Sequence, residues 1–294
     1  MTIDSHIHFF PPAIAANPVV WAEARGEQHW AAVVAKDFPH GLQSWPTETE
    51  LLAALDGAEI DTAILLGWYW EQQETCEEQL AWYLDIKQRH PERFLVFAPI
   101  QPRAGAAVLD YAKRALDAGV SGFGEMLPAA QDFDINEDPV WHQLCELCAE
   151  RGVPINLHVT EAAGHDYTGR VETPLMDYVR LAQRHPETTF ILAHWGGGLP
   201  FYELNPKVRR ALRNVFYDTA ASPLLYDSRI WHMVTEVIGP ERILFGSDYP
   251  LRVYPKRQET ASIVPLLEES RASGLSATSV EKILGGNARS LFGL

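Results

Sequence analysis

The chain has 294 residues, 47% of them hydrophobic, which supports one large core. Its formal net charge is −15, from 39 acidic and 24 basic residues; that balance argues against an electrostatic nucleic-acid footprint and fits a solvated acidic surface. The sequence opens without a basic and apolar leader, and no apolar run approaches membrane-spanning length, so neither a secretory signal nor a membrane partner is expected.

Short apolar, β-rich runs alternate with helical stretches. Strands are expected at Ile3–Phe9, Asp61–Leu66, Phe94–Pro99, Gly122–Met126, Ile155–Val159, Phe190–His194, Val215–Asp218 and Ile243–Gly246. Helices are expected at Glu48–Leu55, Glu74–Arg89, Ala106–Ala118, Val140–Glu150, Pro174–Arg184, Lys207–Arg213, Ser228–Val237 and Glu259–Arg271. Eight such units predict an α/β fold, a (βα)8 TIM barrel, over residues 1–294 as a single domain. A doubly wound open sheet is disfavoured, because no Gly-x-Gly-x-x-Gly turn follows an early strand. Gln88-Arg89-His90-Pro91-Glu92 and Gln183-Arg184-His185-Pro186-Glu187 each separate a helix from a strand. In that position His90 and His185 read as helix caps rather than ligands.

Two connectors are long, residues 11–46 and 160–173, and long loops in compact domains tend to be lids or binding loops. Three cysteines, Cys76, Cys145 and Cys148, do not make a disulfide framework. Cys145 and Cys148 fall on one face of an amphipathic helix with no second pair to complete a zinc site, so they read as core. Reduced cysteines imply a cytoplasmic setting.

The chemistry gathers at strand ends. Asp4-Ser5-His6-Ile7-His8 opens the chain, and on a strand His6 and His8 share a face. His158 ends the fifth strand, His194 the sixth, and Asp248 follows the eighth. A TIM barrel carries its active site there, and independent scatter would not place these residues so consistently. Three imidazoles and a carboxylate suit zinc, with manganese and iron as alternatives. Glu125 ends the fourth strand.

These residues carry a resemblance. Asp4-Ser5-His6-Ile7-His8, Leu157-His158, Ala193-His194-Trp195-Gly196-Gly197, Gly246-Ser247-Asp248-Tyr249-Pro250 and Gly286-Asn287-Ala288 resemble the amidohydrolase superfamily, in the branch of aminocarboxymuconate semialdehyde decarboxylase and related hydrolases. The resemblance covers nearly the whole chain. It implies that His6, His8, His158 and Asp248 are metal ligands and that His194 is the catalytic base or electrostatic group beside the metal, with Asp248 also taking a proton. Gly-Asn-Ala would position the C-terminal helix. Binuclear relatives place a carboxylated Lys or a Glu near the fourth strand; with no Lys there, Glu125 is left as a ligand, a substrate contact or a carboxylate buried against His8.

Trp68 in Trp68-Tyr69-Trp70 and Trp195 after His194 are candidate contacts for a planar or apolar substrate. Arg170 and Arg252 are candidates to hold a substrate carboxylate. The leading expectation is a metal-dependent hydrolase of a small cyclic or aromatic carboxylic compound, acting through a metal-activated water. Non-oxidative decarboxylation of an unsaturated or aromatic acid is the close alternative, and a non-catalytic binding barrel is disfavoured. The partner is a small molecule, and the reading admits a homodimer.

Overall fold

The computed structural model describes residues 1–36, 41–167, 169–253 and 258–294. Eight parallel strands follow one another around a single sheet in chain order. They are β1 (Ile3–Ile7), β2 (Thr62–Leu66), β3 (Phe94–Ala98), β4 (Gly122–Met126), β5 (Ile155–Leu157), β6 (Phe190–Leu192), β7 (Val215–Asp218) and β8 (Ile243–Leu244). The segment after β8 returns to β1 and all but closes the barrel. Ser5 N donates to Phe245 O (2.7 Å), His8 N to Tyr249 O (2.7 Å) and Asp248 N to His6 O (2.9 Å). The strands are buried on both faces, which is why they read as apolar runs rather than alternating ones.

Helices on the outside cover the sheet, and local chemistry sets several of their ends. Thr47 and Glu50 form a reciprocal capping box at Glu48–Gly57. Asp138 caps Pro139–Arg151, where Pro139 occupies the first turn and Gly152 ends the helix in the left-handed region at φ 65°. His90 and His185 are the C-cap residues of Gln73–Arg89 and Leu175–Arg184, as the sequence echo implied. Cys145 and Cys148 are buried in the helix–sheet core, and burial raises both thiol pKa values. A second apolar cluster joins Ile3, Ile64, Phe97, Ile191 and Leu244 to Ala288 of the last helix. The Asn287 amide donates to Pro240 O and Ile243 O at 2.7 Å each, tying that helix to the start of β8.

Five strands end earlier than expected: β1 at Ile7, β3 at Ala98, β5 at Leu157, β6 at Leu192 and β8 at Leu244. Beyond them the chain turns to build the barrel mouth, and both His194 (φ 59°) and Asp248 (φ 62°) adopt left-handed backbone that a strand cannot continue. The expected helix Glu259–Arg271 begins only at Val264. Pro265 is the reason, since proline is tolerated in a helix's first turn but would break an interior one. The connector 11–46 is more ordered than a loop. It holds the short helices Pro12–Ala15, Pro18–Glu23 and Gln28–Ala35, and Trp30 packs against Phe10, Trp21, Trp45 and Trp70 with centroid separations of 5.2–5.9 Å. Among the described residues, no helix is long and apolar enough to cross a membrane.

Candidate metal centre

The mouth of the barrel gathers six polar groups from five of the eight strands. His6 lies in β1 and His8 just past it; Glu125 lies in β4; His158 follows β5; His194 and Asp248 stand on the turns after β6 and β8. All six are buried. Gly124 is the local condition for Glu125: its φ is +126°, and a Cβ there would sit 2.5 Å from the Asn156 carbonyl oxygen of β5. No other residue lets β4 pass so close.

Two overlapping sets of donors result. The Nε2 atoms of His6 and His8 are 3.2 Å apart. Glu125 Oε2 is 3.8 Å from the first and 3.7 Å from the second; Asp248 Oδ1 repeats the same two distances. Four donors bound at ~2.1 Å around one tetrahedral ion stand roughly 3.4 Å apart, so this spacing is that of atoms able to share a cation. In the second set, His158 Nδ1 lies 2.8 Å from Glu125 Oε1 and 3.0 Å from His194 Nε2, which is itself 3.3 Å from Glu125 Oε1. Glu125 stands between the sets, one oxygen toward each.

The partners of the other ring nitrogens fix what faces the centre. His8 Nδ1 is 2.9 Å from the Leu66 carbonyl oxygen, which can only accept, so Nδ1 carries the proton and Nε2 presents a lone pair. His6 Nδ1 is 2.9 Å from Asp218 Oδ2 and is protonated for the same reason. The two Nε2 atoms thus converge with two carboxylates inside a buried site, which needs a positive charge among them, either a proton on one ring or a metal cation. The electrostatics of the site agree. Burial alone would lower the pKa of His6, but Asp218 and Glu125 outweigh it and raise the value to about 10. For His8, burial and the neighbouring His6 prevail and depress the pKa. Burial also opposes ionisation of Glu125, yet His158 and His6 pull its pKa well below the usual carboxylate range. The field that holds a proton at His6 is of the sign that would also attract a metal cation, which would take that proton's place.

His194 is held differently. Its Nδ1 donates to Ala220 O (3.0 Å) and its backbone N–H to Asp218 Oδ1 (3.0 Å), leaving Nε2 toward Glu125. Burial disfavours its cation, but the Glu125 hydrogen bond prevails and raises its pKa to about 9, so Nε2 holds a proton near neutrality. His158 Nε2 is buried and has no hydrogen-bond partner.

A cavity of about 290 Å³ opens onto these groups, the size of a small single-ring compound. Trp45, Trp68, Tyr69, Tyr167, Leu224 and Leu251 form its walls, and Val33 and Val34 of the helix Gln28–Ala35 complete them. The long first connector therefore supplies wall, as its length implied. Trp68 is in this wall; the other three expected substrate contacts are not. Trp195 is fully buried, donates its indole N–H to Ser222 Oγ (2.9 Å) and packs edge-on against Trp231. Arg170 pairs with Asp166 (3.4 Å) and Glu161 (3.6 Å), and Arg252 donates to the Gly41 carbonyl. Loop proximity in sequence could not reveal these partners. Sequence reasoning also passed over Asp218, whose carboxylate accepts from His6, Asn156, His194 and Ala220. Its signal was available, since it ends the strand run Val215-Phe216-Tyr217-Asp218.

Comparison with known proteins places this geometry. The amidohydrolase family profile matches residues 3–294. 5-Carboxyvanillate decarboxylase from Sphingomonas paucimobilis superposes with a TM-score of 0.76 at 15% identity, covering 100% of this chain and 99% of that one. 2,6-Dihydroxybenzoate decarboxylase from Rhizobium gives 0.73 at 19%, over 99% and 98%. The enzyme from Novosphingobium aromaticivorans, 5-carboxyvanillate decarboxylase complexed with manganese, gives 0.73 at 17%, over 100% and 96%. No curated protein matches this chain in sequence. A profile match spanning all but the first two residues, on a barrel whose mouth holds a buried metal-binding set, settles the family: the chain belongs to the amidohydrolases.

Proposed function

We propose that this enzyme is a metal-dependent decarboxylase of a small planar carboxylic acid, with hydrolysis of a cyclic or aromatic carboxylic compound as the second reading. The observation that carries the metal is the convergence of His6 and His8 Nε2, 3.2 Å apart, with an oxygen of Glu125 and of Asp248 at 3.7–3.8 Å from each. In this reading His6, His8, Glu125 and Asp248 hold one divalent ion, and His158, whose Nδ1 lies 2.8 Å from Glu125 Oε1, completes the ligand set from the Glu125 side. Imidazole and carboxylate donors suit zinc, the ion expected from the sequence, and also manganese, which a similar fold holds. Such an ion supplies positive charge for an anionic substrate and lowers the pKa of a water toward ~7.

The residues do the rest. Trp68 and Tyr69, stacked with centroids 4.3 Å apart, offer a flat apolar wall for a ring. His194 holds a proton on Nε2 beside Glu125 and is placed to deliver it. In decarboxylation the carbon–carboxyl bond breaks, CO2 leaves, and the ring carbon takes that proton, which solvent then restores to His194. The aromatic wall favours this route, because loss of CO2 from a ring needs no second substrate in the pocket. In hydrolysis Asp248 accepts a proton from water, and its Oδ2 lies 3.9 Å from His194 Nδ1.

The test is a panel of hydroxylated benzoates and of lactones and aryl esters, assayed with Zn2+ and with Mn2+. CO2 release supports the first reading, and acid or alcohol release the second. Turnover of neither class with either ion would refute both.

A further inference from the structure

Behind His8 runs a buried hydrogen-bond chain that the site's own chemistry does not require. It starts in the aromatic wall. The backbone N–H of Trp68 and the indole N–H of Trp70 both donate to Gln79 Oε1, at 2.7 Å each. Both are obligate donors, so this atom is the amide oxygen, and the Gln79 amide nitrogen is the one that donates to the Tyr83 hydroxyl (3.1 Å). That hydroxyl also receives the Phe9 N–H (3.2 Å). With its lone pairs taken, its one proton goes to the Leu66 carbonyl oxygen (3.0 Å). The same carbonyl oxygen accepts from His8 Nδ1 (2.9 Å). Every link has one allowed direction, and Gln79 and Tyr83 are fully buried in the helix Gln73–Arg89.

We propose that Gln79 and Tyr83 are positioning residues that clamp the His8 imidazole and couple its orientation to the cavity wall. Tyr83 grips His8 twice, through the next residue's N–H and through the carbonyl that holds the ring. Gln79 ties that grip to Trp68, which lines the cavity, and to Trp70, which packs on Trp21 and Trp30 of the first connector. A change at the wall is thereby felt at His8, and by linkage the metal is felt at the wall. The inference rests on the reading of His8 as a metal ligand.

The test titrates Co2+ alone into the metal-free parent and the variants Tyr83→Phe, Gln79→Leu and His8→Ala. Co2+ serves because its visible absorption reports donor number and geometry, which a merely structural role would not alter in folded protein. Tyr83→Phe is expected to weaken Co2+ binding several-fold and to change the spectrum, because the Leu66 carbonyl that holds the His8 ring loses its anchoring donor. Gln79→Leu is expected to weaken it several-fold in the same sense, and it decides alone if circular dichroism shows Tyr83→Phe unfolded. Both variants binding within about twofold of the parent with its spectrum, while His8→Ala does not, would overturn the coupling. A parent that binds no Co2+, or a His8→Ala protein that binds it as the parent does, would instead overturn the metal reading and this inference with it.

Discussion

Asp218 offers the sharpest test of how the centre is built. Its Oδ2 accepts from His6 Nδ1 (2.9 Å) and Asn156 Nδ2 (3.2 Å), and its Oδ1 from the backbone N–H groups of His194 (3.0 Å) and Ala220 (3.1 Å). Asp218→Asn keeps the shape and replaces one acceptor by an NH2. The two backbone N–H groups cannot become acceptors, so they retain the amide oxygen, and the NH2 must face His6 and Asn156. His6 Nδ1 can then be satisfied only as an acceptor, which moves its proton to Nε2 and removes the lone pair directed at the metal. The expected loss of Zn2+ or Mn2+ affinity is about 10–100-fold, or roughly 1.4–2.7 kcal/mol. Asn156, whose Oδ1 has no partner, can flip its amide to accept from that NH2, so the change in stability should stay within about 1 kcal/mol. Competition titration against a chelator measures the first effect and thermal unfolding of the metal-free protein the second. Metal affinity within about threefold of the parent would refute the tautomer argument, whatever the melting temperature does.

Other outcomes follow from the same coordinates. His8→Ala, His158→Ala and Glu125→Gln should each lower the metal content of purified protein, whereas His194→Ala should retain metal and lose turnover; elemental analysis beside activity decides, and equal loss in all four would make His194 a ligand. Gly124→Ala should destabilise the fold by about 1–3 kcal/mol, because alanine is strained at φ +126° and its Cβ would strike Asn156 O, and an unchanged melting temperature would contradict this. His185 Nε2 lies 2.8 Å from His142 Nδ1, and burial together with that neighbour lowers its pKa to about 4. The unfolded chain therefore takes up a proton near pH 6.5 that the folded protein refuses until about 4, so stability is full above 6.5 and falls as pH drops through that window. After solvent screening this amounts to about 1–2 kcal/mol, and urea midpoints between pH 7 and 4.5 should show a shallower decline in His185→Asn than in the parent.

Much of this was legible in one dimension. The alternation of apolar runs and helical stretches is a local pattern, set by side-chain periodicity, so all eight strands and their order could be read before any contact was known. The residues at strand ends were legible too, because a barrel sends every strand's C-terminal end to one mouth. His6, His8, Glu125, His158, His194 and Asp248 meet there on that account. Where local rules competed, they failed locally: Pro265 delayed the last expected helix, left-handed backbone at His194 keeps it out of β6, and β8 stops at Leu244 because the Phe245 N–H turns to Ile283 O.

Which atoms those residues present was decided only by the closed barrel. The proton on His6 is fixed by Asp218, 212 positions away, that on His8 by Leu66, and that on His194 by Ala220. Arg170, Arg252 and Trp195 fit the pattern of substrate contacts, yet the folded chain also brings Arg170 to Glu161 and Asp166, Arg252 to the Gly41 carbonyl and the Trp195 indole to Ser222. Residue type and strand position are properties of the chain. A tautomer or a committed guanidinium depends on which donor lies within ~3 Å, and that distance exists only after strands far apart in sequence have been brought side by side.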